Sequence, residues 1–181
     1  MTPEFPASVE ALIVGGGPAG LFAALRLAAG LRAAGQPAGP GGILVLEKRE
    51  RPARKLLLSG SGQCNLTHAG GVEDFLPRYG SAAAGRFLKP ALYAFTNEEL
   101  LDWFRARGLE FETEEGGKVF PRNRRATEVL GILLRDCEVL GIRLEGGWRA
   151  ESVARQVAGN PSFRVTATRG ELRRELEARL L

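Results

Sequence analysis

The sequence predicts an α/β protein built on a Rossmann-like parallel sheet, and three observations predict it. An apolar run at residues 11–14 has the length and composition of a strand buried on both faces. A glycine-rich turn and a helical pattern follow directly, and a second predicted strand, "GILVLEK", comes at residues 42–48. A strand, a helix and a second strand in this order form the βαβ unit from which such sheets are made.

The composition is that of a globular protein with a core of its own. The 181 residues are 44% hydrophobic and carry a net charge of +4, with 21 arginines and 4 lysines interspersed among acidic residues. Such a charge bears on solubility more than on fold, so we expect a solvated surface and no nucleic-acid partner. No segment reaches the ~20 apolar residues that span a bilayer, and the N-terminus lacks the basic region of a signal peptide.

The cysteines and the single histidine limit metal and redox chemistry. Cys64 and Cys137 stand 73 positions apart without a C-x-x-C pair, and one histidine cannot build a His-rich metal site. We therefore predict no metal site, reduced thiols and a cytoplasmic location.

The segment "ALIVGGGPAGLFAALRLAAG" carries the strongest local signal. Gly15, Gly17 and Gly20 form G-x-G-x-x-G between the first strand and the helix. We predict that Gly15 permits a tight turn, Gly17 lets the backbone approach a pyrophosphate, and Gly20 lets the helix pack close to the strand. Pro18 and Ala19 open the helix, where free N–H groups can bind phosphate. The helical residues expected to be buried are Leu21, Ala24, Leu25 and Ala28.

Glu47 ends the second strand, and it and Lys48 are predicted cofactor contacts. A carboxylate here can accept hydrogen bonds from a ribose hydroxyl and repels a 2′-phosphate, which favours FAD or NAD over NADP. Glu47 stands 27 residues beyond Gly20 because the Gly/Pro-rich loop at residues 33–42 lengthens the connection. The pattern alone leaves FAD, NAD and S-adenosylmethionine open, because methyltransferases also combine a glycine turn with an acid on the second strand.

The stretch "RKLLLSGSGQCNLTH", residues 54–68, narrows this choice. Together with "GGGPAGLFAA" and "FTNEELLDWFRARGLEFETEEGGKVFPRNRRATEVL", it resembles the BaiN-like family of NAD(P)/FAD-dependent oxidoreductases, the aminoacetone-oxidase-like flavoproteins. The resemblance covers roughly residues 10–168. Ala53 stands where the family pattern G-R-K-[LIV]-x-x-S-G-x-G-x-C-N-x-T-[NH] begins with glycine, and Ser61 and Gln63 stand where many members have glycine and arginine.

The resemblance implies that residues 54–65 wrap the flavin end of FAD. The cofactor contacts it implies in this segment are Arg54, Lys55, Ser59, Gly60, Gly62, Gln63, Cys64 and Asn65. The residue types agree with this role, because the glycines can adopt positive φ and turn backbone N–H groups toward a ligand. A solvated basic pair at the first two positions, a thiol that only packs the loop, and a Cys64–His68 thiolate pair are the alternatives.

Residues 73–108 are predicted to form helices joined by short loops, with Thr96 and Glu99 forming a capping box. Residues 110–121 are predicted to form a hairpin that turns at residues 115–117. An amphipathic helix over residues 127–140 follows, with Cys137 on its apolar side.

A third parallel strand, at residues 142–144, is predicted to lie beside the first strand. Two antiparallel strands turning at residues 159–161 follow it, as in the meander of FAD domains of the glutathione-reductase type. The fold class expected is therefore a Rossmann-like FAD-binding domain of that type, incomplete at its C-terminus.

The last residues depart from the family pattern, which continues with a third meander strand, an "ATGG"-like strand, a substrate domain and a Gly-Asp that holds the ribityl chain. Leu172, Leu176 and Leu180 in "RGELRRELEARLL" predict an amphipathic helix, with a strand over residues 171–174 as the alternative. The domains expected are an FAD-binding domain at residues 1–168, with a helical and hairpin segment at residues 72–140, and a helical tail at residues 169–181.

The resulting functional prediction is an FAD-binding oxidoreductase whose flavin is reduced by NAD(P)H and passes hydride or electrons to a small organic acceptor or dioxygen. The alternatives are a catalytically inactive, truncated nucleotide-binding fragment and, more remotely, an S-adenosylmethionine-dependent methyltransferase. The expected partners are small molecules, with no nucleic acid and no membrane. The sequence identifies no catalytic acid or base, no particular substrate and no oligomeric state.

Overall fold

A computed structural model describes residues 5–36, 38–39, 41–157 and 162–181 of the chain. The chain divides into one unit of residues 1–54 and 133–181 and a second unit of residues 55–132. The prolines at 37 and 40 and the meander turn predicted at residues 159–161 lie outside the described residues.

The first unit is built on a six-stranded sheet with the strand order β6-β2-β1-β9-β8-β7. Its first three strands are parallel to one another, and β7, β8 and β9 form an antiparallel meander. The bounds of these strands are β1 Ser8–Val14, β2 Ile43–Glu47, β6 Arg143–Gly146, β7 Arg149–Gln156, β8 Ser162–Arg169 and β9 Leu172–Leu180. The Rossmann-like parallel sheet and the antiparallel crossover are thus confirmed.

Helix α1, Pro18–Ala33, connects β1 to β2 and confirms the predicted βαβ unit. Its buried residues are the four predicted from the helical period: Leu21, Ala24, Leu25 and Ala28. β2 has four consecutive buried residues because the parallel strand is covered on both faces.

The third parallel strand was predicted to pair with the first, and this is wrong. β6 pairs with β2, with Leu44 opposite Arg143 and Glu47 opposite Gly146. The two edges of β1 are already occupied by β2 and β9, so the free position lies beyond β2. The result is the usual 3-2-1 order of Rossmann sheets.

The helical tail predicted at residues 169–181 is also wrong. β9 pairs antiparallel with β8 along its length and parallel with β1 near its end, with Ala11 opposite Leu180. It supplies the third meander strand, and its first residues match the strand considered as the alternative. The boundary expected between residues 168 and 169 therefore falls inside the β8–β9 hairpin.

The core explains why the last segment is extended. Leu176 and Ala178 are both 1% exposed, whereas Leu172 is 51% exposed. Burial at every second position is the strand period, and it places these two side chains in one cluster with Leu12 and Val165. Burying a leucine in such a cluster stabilises the fold by about 1.5–3 kcal/mol.

The second unit combines short helices with a three-stranded sheet of order β3-β5-β4. Its elements are α3 Val72–Phe75, α4 Ala82–Ala94, α5 Asn97–Arg105, β3 Thr67–His68, β4 Phe111–Thr113 and β5 Lys118–Pro121, with 3-10 turns at Ser59–Gly62 and Leu76–Arg78. Helix α2, Arg54–Leu58, leads into this unit, and α6, Ala126–Val139, leads out of it.

Two local predictions for the second unit are confirmed. Thr96 Oγ1 accepts from Glu99 N, and Glu99 Oε2 accepts from Thr96 N at 2.7 Å, which is the capping box. β4 and β5 pair as an antiparallel hairpin, with Phe111 opposite Pro121. The pairing of β3 with β5 has no counterpart in the sequence prediction.

Helix α6 and the two thiols also agree with expectation. Cys137 is 3% exposed, as predicted for the apolar side of α6, and both cysteines are free. Among the described residues, no helix is both long enough and apolar enough to cross a membrane.

Candidate functional site

The glycine turn joins β1 to α1, and two of its glycines are required by geometry. Gly15 has a φ of 110°, a left-handed conformation that favours glycine. A Cβ on Gly20 would lie 2.0 Å from the carbonyl oxygen of Gly15, so helix and strand approach too closely for any side chain. These are the tight turn and the close packing that the sequence predicted.

Gly17 differs, because the space beside it is open. Apart from Gly17 and its two chain neighbours, no atom lies within 4 Å of the position a Cβ would take, so the packing of the protein does not require glycine there. Gly17 is the N-cap of α1, and no side chain donates or accepts a capping hydrogen bond there. Pro18 and Ala19 are the first residues of the helix. The first turn carries no acidic residue. An open approach to uncapped N–H groups at a helix N-terminus suits an anion such as a pyrophosphate.

Glu47 anchors the turn to the end of β2. Its Oε2 accepts from Gly16 N at 2.9 Å, and its Oε1 accepts from Arg49 N at 2.8 Å. Each carboxylate oxygen has two lone pairs, so Glu47 can hold the backbone and still accept a hydroxyl. Its role is therefore double: it shapes the glycine turn and presents an acceptor at the carboxyl end of β2.

A cleft of about 310 Å³ opens at the carboxyl ends of β1 and β2. Ligands of open α/β sheets bind at this edge. The lining residues are Val14, Gly15, Leu46, Glu47, Lys48, Trp148, Arg149 and Ala150. Of these, Gly15, Glu47 and Lys48 were predicted as site residues.

Sequence reasoning missed Trp148, Arg149 and Ala150. They reach the cleft because Trp148 N donates to Glu47 O at 3.0 Å, which brings the start of β7 alongside the end of β2. The only signal available beforehand was that residues following a third parallel strand emerge at the same edge as those following the second.

The segment at residues 54–65 begins as helix α2 and continues into a left-handed run. Gly60, Ser61 and Gly62 have φ values of 55°, 56° and 87°, and Cys64 has 61°. The positive φ predicted for both glycines is confirmed. Ser61 occupies one of the positions where many family members have glycine, and its left-handed backbone explains that preference.

The other predicted residues of this segment divide by exposure. Arg54, Lys55 and Asn65 are exposed and available to a ligand. Ser59 is used locally, since its Oγ donates to Leu56 O at 2.7 Å. Gln63 Oε1 accepts from Arg124 Nη1 at 3.1 Å, a contact the sequence did not predict.

Cys64 and His68 do not form the thiolate pair that the sequence left open. The ring nitrogens of His68 lie 2.7 Å from Ala69 O and 2.8 Å from Gly116 O. Burial raises the pKa of the Cys64 thiol, and a hydrogen bond with Ser59 only partly offsets that. A protonated, fully buried thiol is a packing group rather than a nucleophile.

No metal centre is found among the residues the structure describes, since no group of three or more His, Cys, Asp or Glu side chains converges there.

A family model and several curated proteins, among them a reductase and an RNA dihydrouridine synthase, match this chain. The family model for the HI0933-like protein Rossmann domain matches residues 9–176. The 3-dehydro-bile acid delta(4,6)-reductase of Clostridium scindens is 30% identical over 147 residues, 81% of this chain and 33% of that protein. The ribosomal RNA dihydrouridine synthase of Escherichia coli K12 is 29% identical over 151 residues, 83% of this chain and 34% of that protein. The chain thus spans about a third of the length of these relatives.

Solved structures support the fold independently. A 3-ketosteroid-delta4-(5alpha)-dehydrogenase from Rhodococcus jostii RHA1 superposes with a TM-score of 0.65 at 15% identity, covering 100% of this chain and 46% of that one. A flavocytochrome c3 fumarate reductase superposes with a TM-score of 0.59 at 14% identity, covering 94% and 32%. At such low identity the likeness concerns the fold alone.

Proposed function

This chain belongs to the HI0933-like Rossmann family, the BaiN-like flavoproteins, and from that premise we propose that it is the FAD-binding part of a flavin-dependent oxidoreductase. The observation that carries the proposal is the open approach at Gly17, where the protein leaves free the space beside an uncapped helix N-terminus. A turn that needed glycine only for its own packing would show a close neighbour there, as Gly20 does.

The first unit supplies residues for the adenosine and pyrophosphate part of FAD. The N-terminus of α1 would hold the pyrophosphate, and Glu47 would accept a ribose hydroxyl while keeping its bond to Gly16 N. Val14, Lys48 and Arg149 in the cleft walls offer an apolar contact and two cationic side chains for an adenine ring.

The family resemblance implies that residues 54–65 wrap the flavin end of FAD, and we propose that the second unit contributes residues 55–65 to that contact. The left-handed run at residues 60–62 turns successive peptide groups in one direction, as backbone nests do when they bind anions or carbonyls. Exposed Asn65 adds an amide that can donate or accept a hydrogen bond. Lys55, also exposed, offers positive charge to a reduced flavin.

FAD would supply the hydride and electron chemistry, and the chain's own residues would bind and orient it. We propose a nicotinamide nucleotide as reductant and a small organic molecule or dioxygen as acceptor. Two free, buried thiols fit a reducing compartment such as the cytoplasm.

Flavin titration combined with an NAD(P)H-oxidation assay tests this proposal. FAD should bind and change its absorbance and fluorescence, and S-adenosylmethionine should give no heat in calorimetry. Binding without NAD(P)H oxidation would favour a nucleotide-binding fragment without turnover. A chain that takes up S-adenosylmethionine and no FAD would contradict the proposal.

A further inference from the structure

Arg124 has an unusual backbone for its residue type. It lies in the turn after β5 with a φ of 55°, and its N–H donates to Pro121 O at 2.8 Å. A side chain with a Cβ is disfavoured in this left-handed conformation, so some set of contacts must stabilise it.

Those contacts are made by the guanidinium. Nη1 donates to Gln63 Oε1 at 3.1 Å and to Glu114 Oε1 at 2.8 Å, and the group also pairs with Glu112. The two carboxylates thus more than offset the single positive charge of Arg124. Its bond to Gln63 is therefore a geometric constraint rather than a source of positive charge for a ligand.

A second contact runs through Phe120. The guanidinium carbon of Arg124 lies 4.5 Å from the centre of the Phe120 ring, a cation–π distance. A Cβ on Gly60 would lie 3.0 Å from Cε1 of that ring. The Phe120 ring therefore contacts both the Arg124 guanidinium and Gly60, the first residue of the left-handed run.

The C-terminal end of this segment, at Leu66, is hydrogen-bonded to β5, the strand that carries Phe120. Leu66 N donates to Val119 O at 2.9 Å, next to the residue whose ring contacts Gly60. The loop is thus held by β5 at both ends and by Arg124, through Gln63, in its middle.

We infer that Arg124 is a positioning residue that clamps the segment at residues 60–64, which begins with the left-handed run at residues 60–62. The flavin-facing role of that segment rests on the proposed function, whereas the clamp rests on contacts within the second unit.

Cys64 offers a readout that needs no cofactor. It is 0% exposed and lies within the clamped segment, whereas Cys137, 3% exposed, lies in the other unit. In the FAD-free chain, Arg124→Ala and Gln63→Ala should each raise the rate of Cys64 alkylation by N-ethylmaleimide about tenfold or more. Cys137 serves as the internal reference, and peptide mass spectrometry separates the two thiols.

Arg122→Ala is the matched control. Arg122 lies in the same turn and pairs with Glu110 at 2.6 Å, with both side chains 70% exposed. It has no described contact with the 60–64 segment, so Cys64 labelling should not change. The double variant Arg124→Ala/Gln63→Ala should label no faster than Arg124→Ala, because the hydrogen bond that Gln63→Ala removes is already lost in Arg124→Ala.

Unchanged Cys64 labelling in folded Arg124→Ala and Gln63→Ala would overturn the clamp. If Arg124→Ala fails to fold, Gln63→Ala alone decides, because it removes only the partner amide. If the parent binds FAD, both variants should weaken binding about tenfold and alter the bound flavin's absorbance, while Arg122→Ala should not. A parent that binds no FAD contradicts the proposed function, and the labelling result still decides the clamp.

Discussion

Left-handed backbone at residues that are not glycine is concentrated around the proposed flavin-facing segment. Of the described residues, Ala53, Ser61, Cys64 and Arg124 have a φ between 53° and 61°. Each such residue costs of the order of 1 kcal/mol, and strain of this kind gathers at ligand sites. Ala53 and Ser61 stand where the family pattern or many of its members have glycine, so the chain accepts strain at positions where glycine would relieve it.

Glu47→Ala should weaken FAD binding about tenfold to a hundredfold. It removes a charge-assisted hydrogen bond worth roughly 1.5–3 kcal/mol. The same change removes the acceptor of Gly16 N, so urea unfolding must be measured on the variant to separate a damaged turn from a lost contact. Glu50→Ala is the control, since Glu50 is 73% exposed and its ion pair with Arg169 is long, at 3.5 Å. An unchanged Kd for Glu47→Ala would place the ribose elsewhere.

Cys64→Ser should leave FAD affinity and any turnover nearly intact. The hydroxyl fills much the same space, and a thiol whose pKa is raised by burial supplies little thiolate at neutral pH. Flavin titration and NAD(P)H oxidation on the variant check this. Normal FAD binding with complete loss of turnover would show that the sulfur takes part in the chemistry.

Elements whose signals are local could be predicted from the sequence, and those decided by distant partners could not. The βαβ unit follows from the buried-strand and helical periods together with glycine geometry at Gly15 and Gly20. The last segment was wrongly predicted to be a helix because leucines at 172, 176 and 180 fit both a helical and an alternating period. The segment is a strand because it pairs with β8 on one side and with β1 on the other.

The burial along β9 predicts unequal costs for two leucines that share one face of the strand. Leu176→Ala should lower the free energy of unfolding by about 2–5 kcal/mol, because Leu176 is 1% exposed in the core cluster. Leu172→Ala should change it by about 0.5 kcal/mol or less, because Leu172 is 51% exposed. Urea unfolding of both variants tests this, and equal costs would contradict the burial of Leu176 in the core cluster.

The burial of Cys137 in helix α6 predicts that the stability of the fold decreases at alkaline pH. Burial, aided by the charge of Asp136, raises the pKa of Cys137 from 9.0 to about 11. The folded state then retains a proton that the unfolded state loses, so stability is complete below about pH 9 and falls as pH rises toward 11. Between pH 9 and 11, the free energy of unfolding of Cys137→Ala should therefore fall by up to about 2 kcal/mol less than that of the parent. Urea unfolding at several pH values under reducing conditions measures this. Parallel curves for parent and variant would show that the thiol does not titrate in that range.

At the scale of the whole molecule, the pairing of β6 with β2 brings residues 148–150 to the cleft of the first unit. Trp148, Arg149 and Ala150 arrive about a hundred residues after Glu47, because β6 pairs with β2 and the chain then turns back into the meander. No local pattern relates these two segments, which is why the glycine turn and the acid could be predicted and the opposite wall could not.

A paired FAD titration of the parent and Gly17→Val tests whether the glycine turn binds the pyrophosphate of FAD. Gly17 has open space where Gly20 has a carbonyl at 2.0 Å, so valine should fill the ligand's space at position 17 and disrupt folding at position 20. We predict that the parent binds FAD and that Gly17→Val, with nearly unchanged unfolding, binds it at least about a hundredfold more weakly, a loss of ~3 kcal/mol. Gly20→Val should instead lose stability. A folded Gly17→Val protein that binds FAD as tightly as the parent would show that the glycine turn does not hold the pyrophosphate.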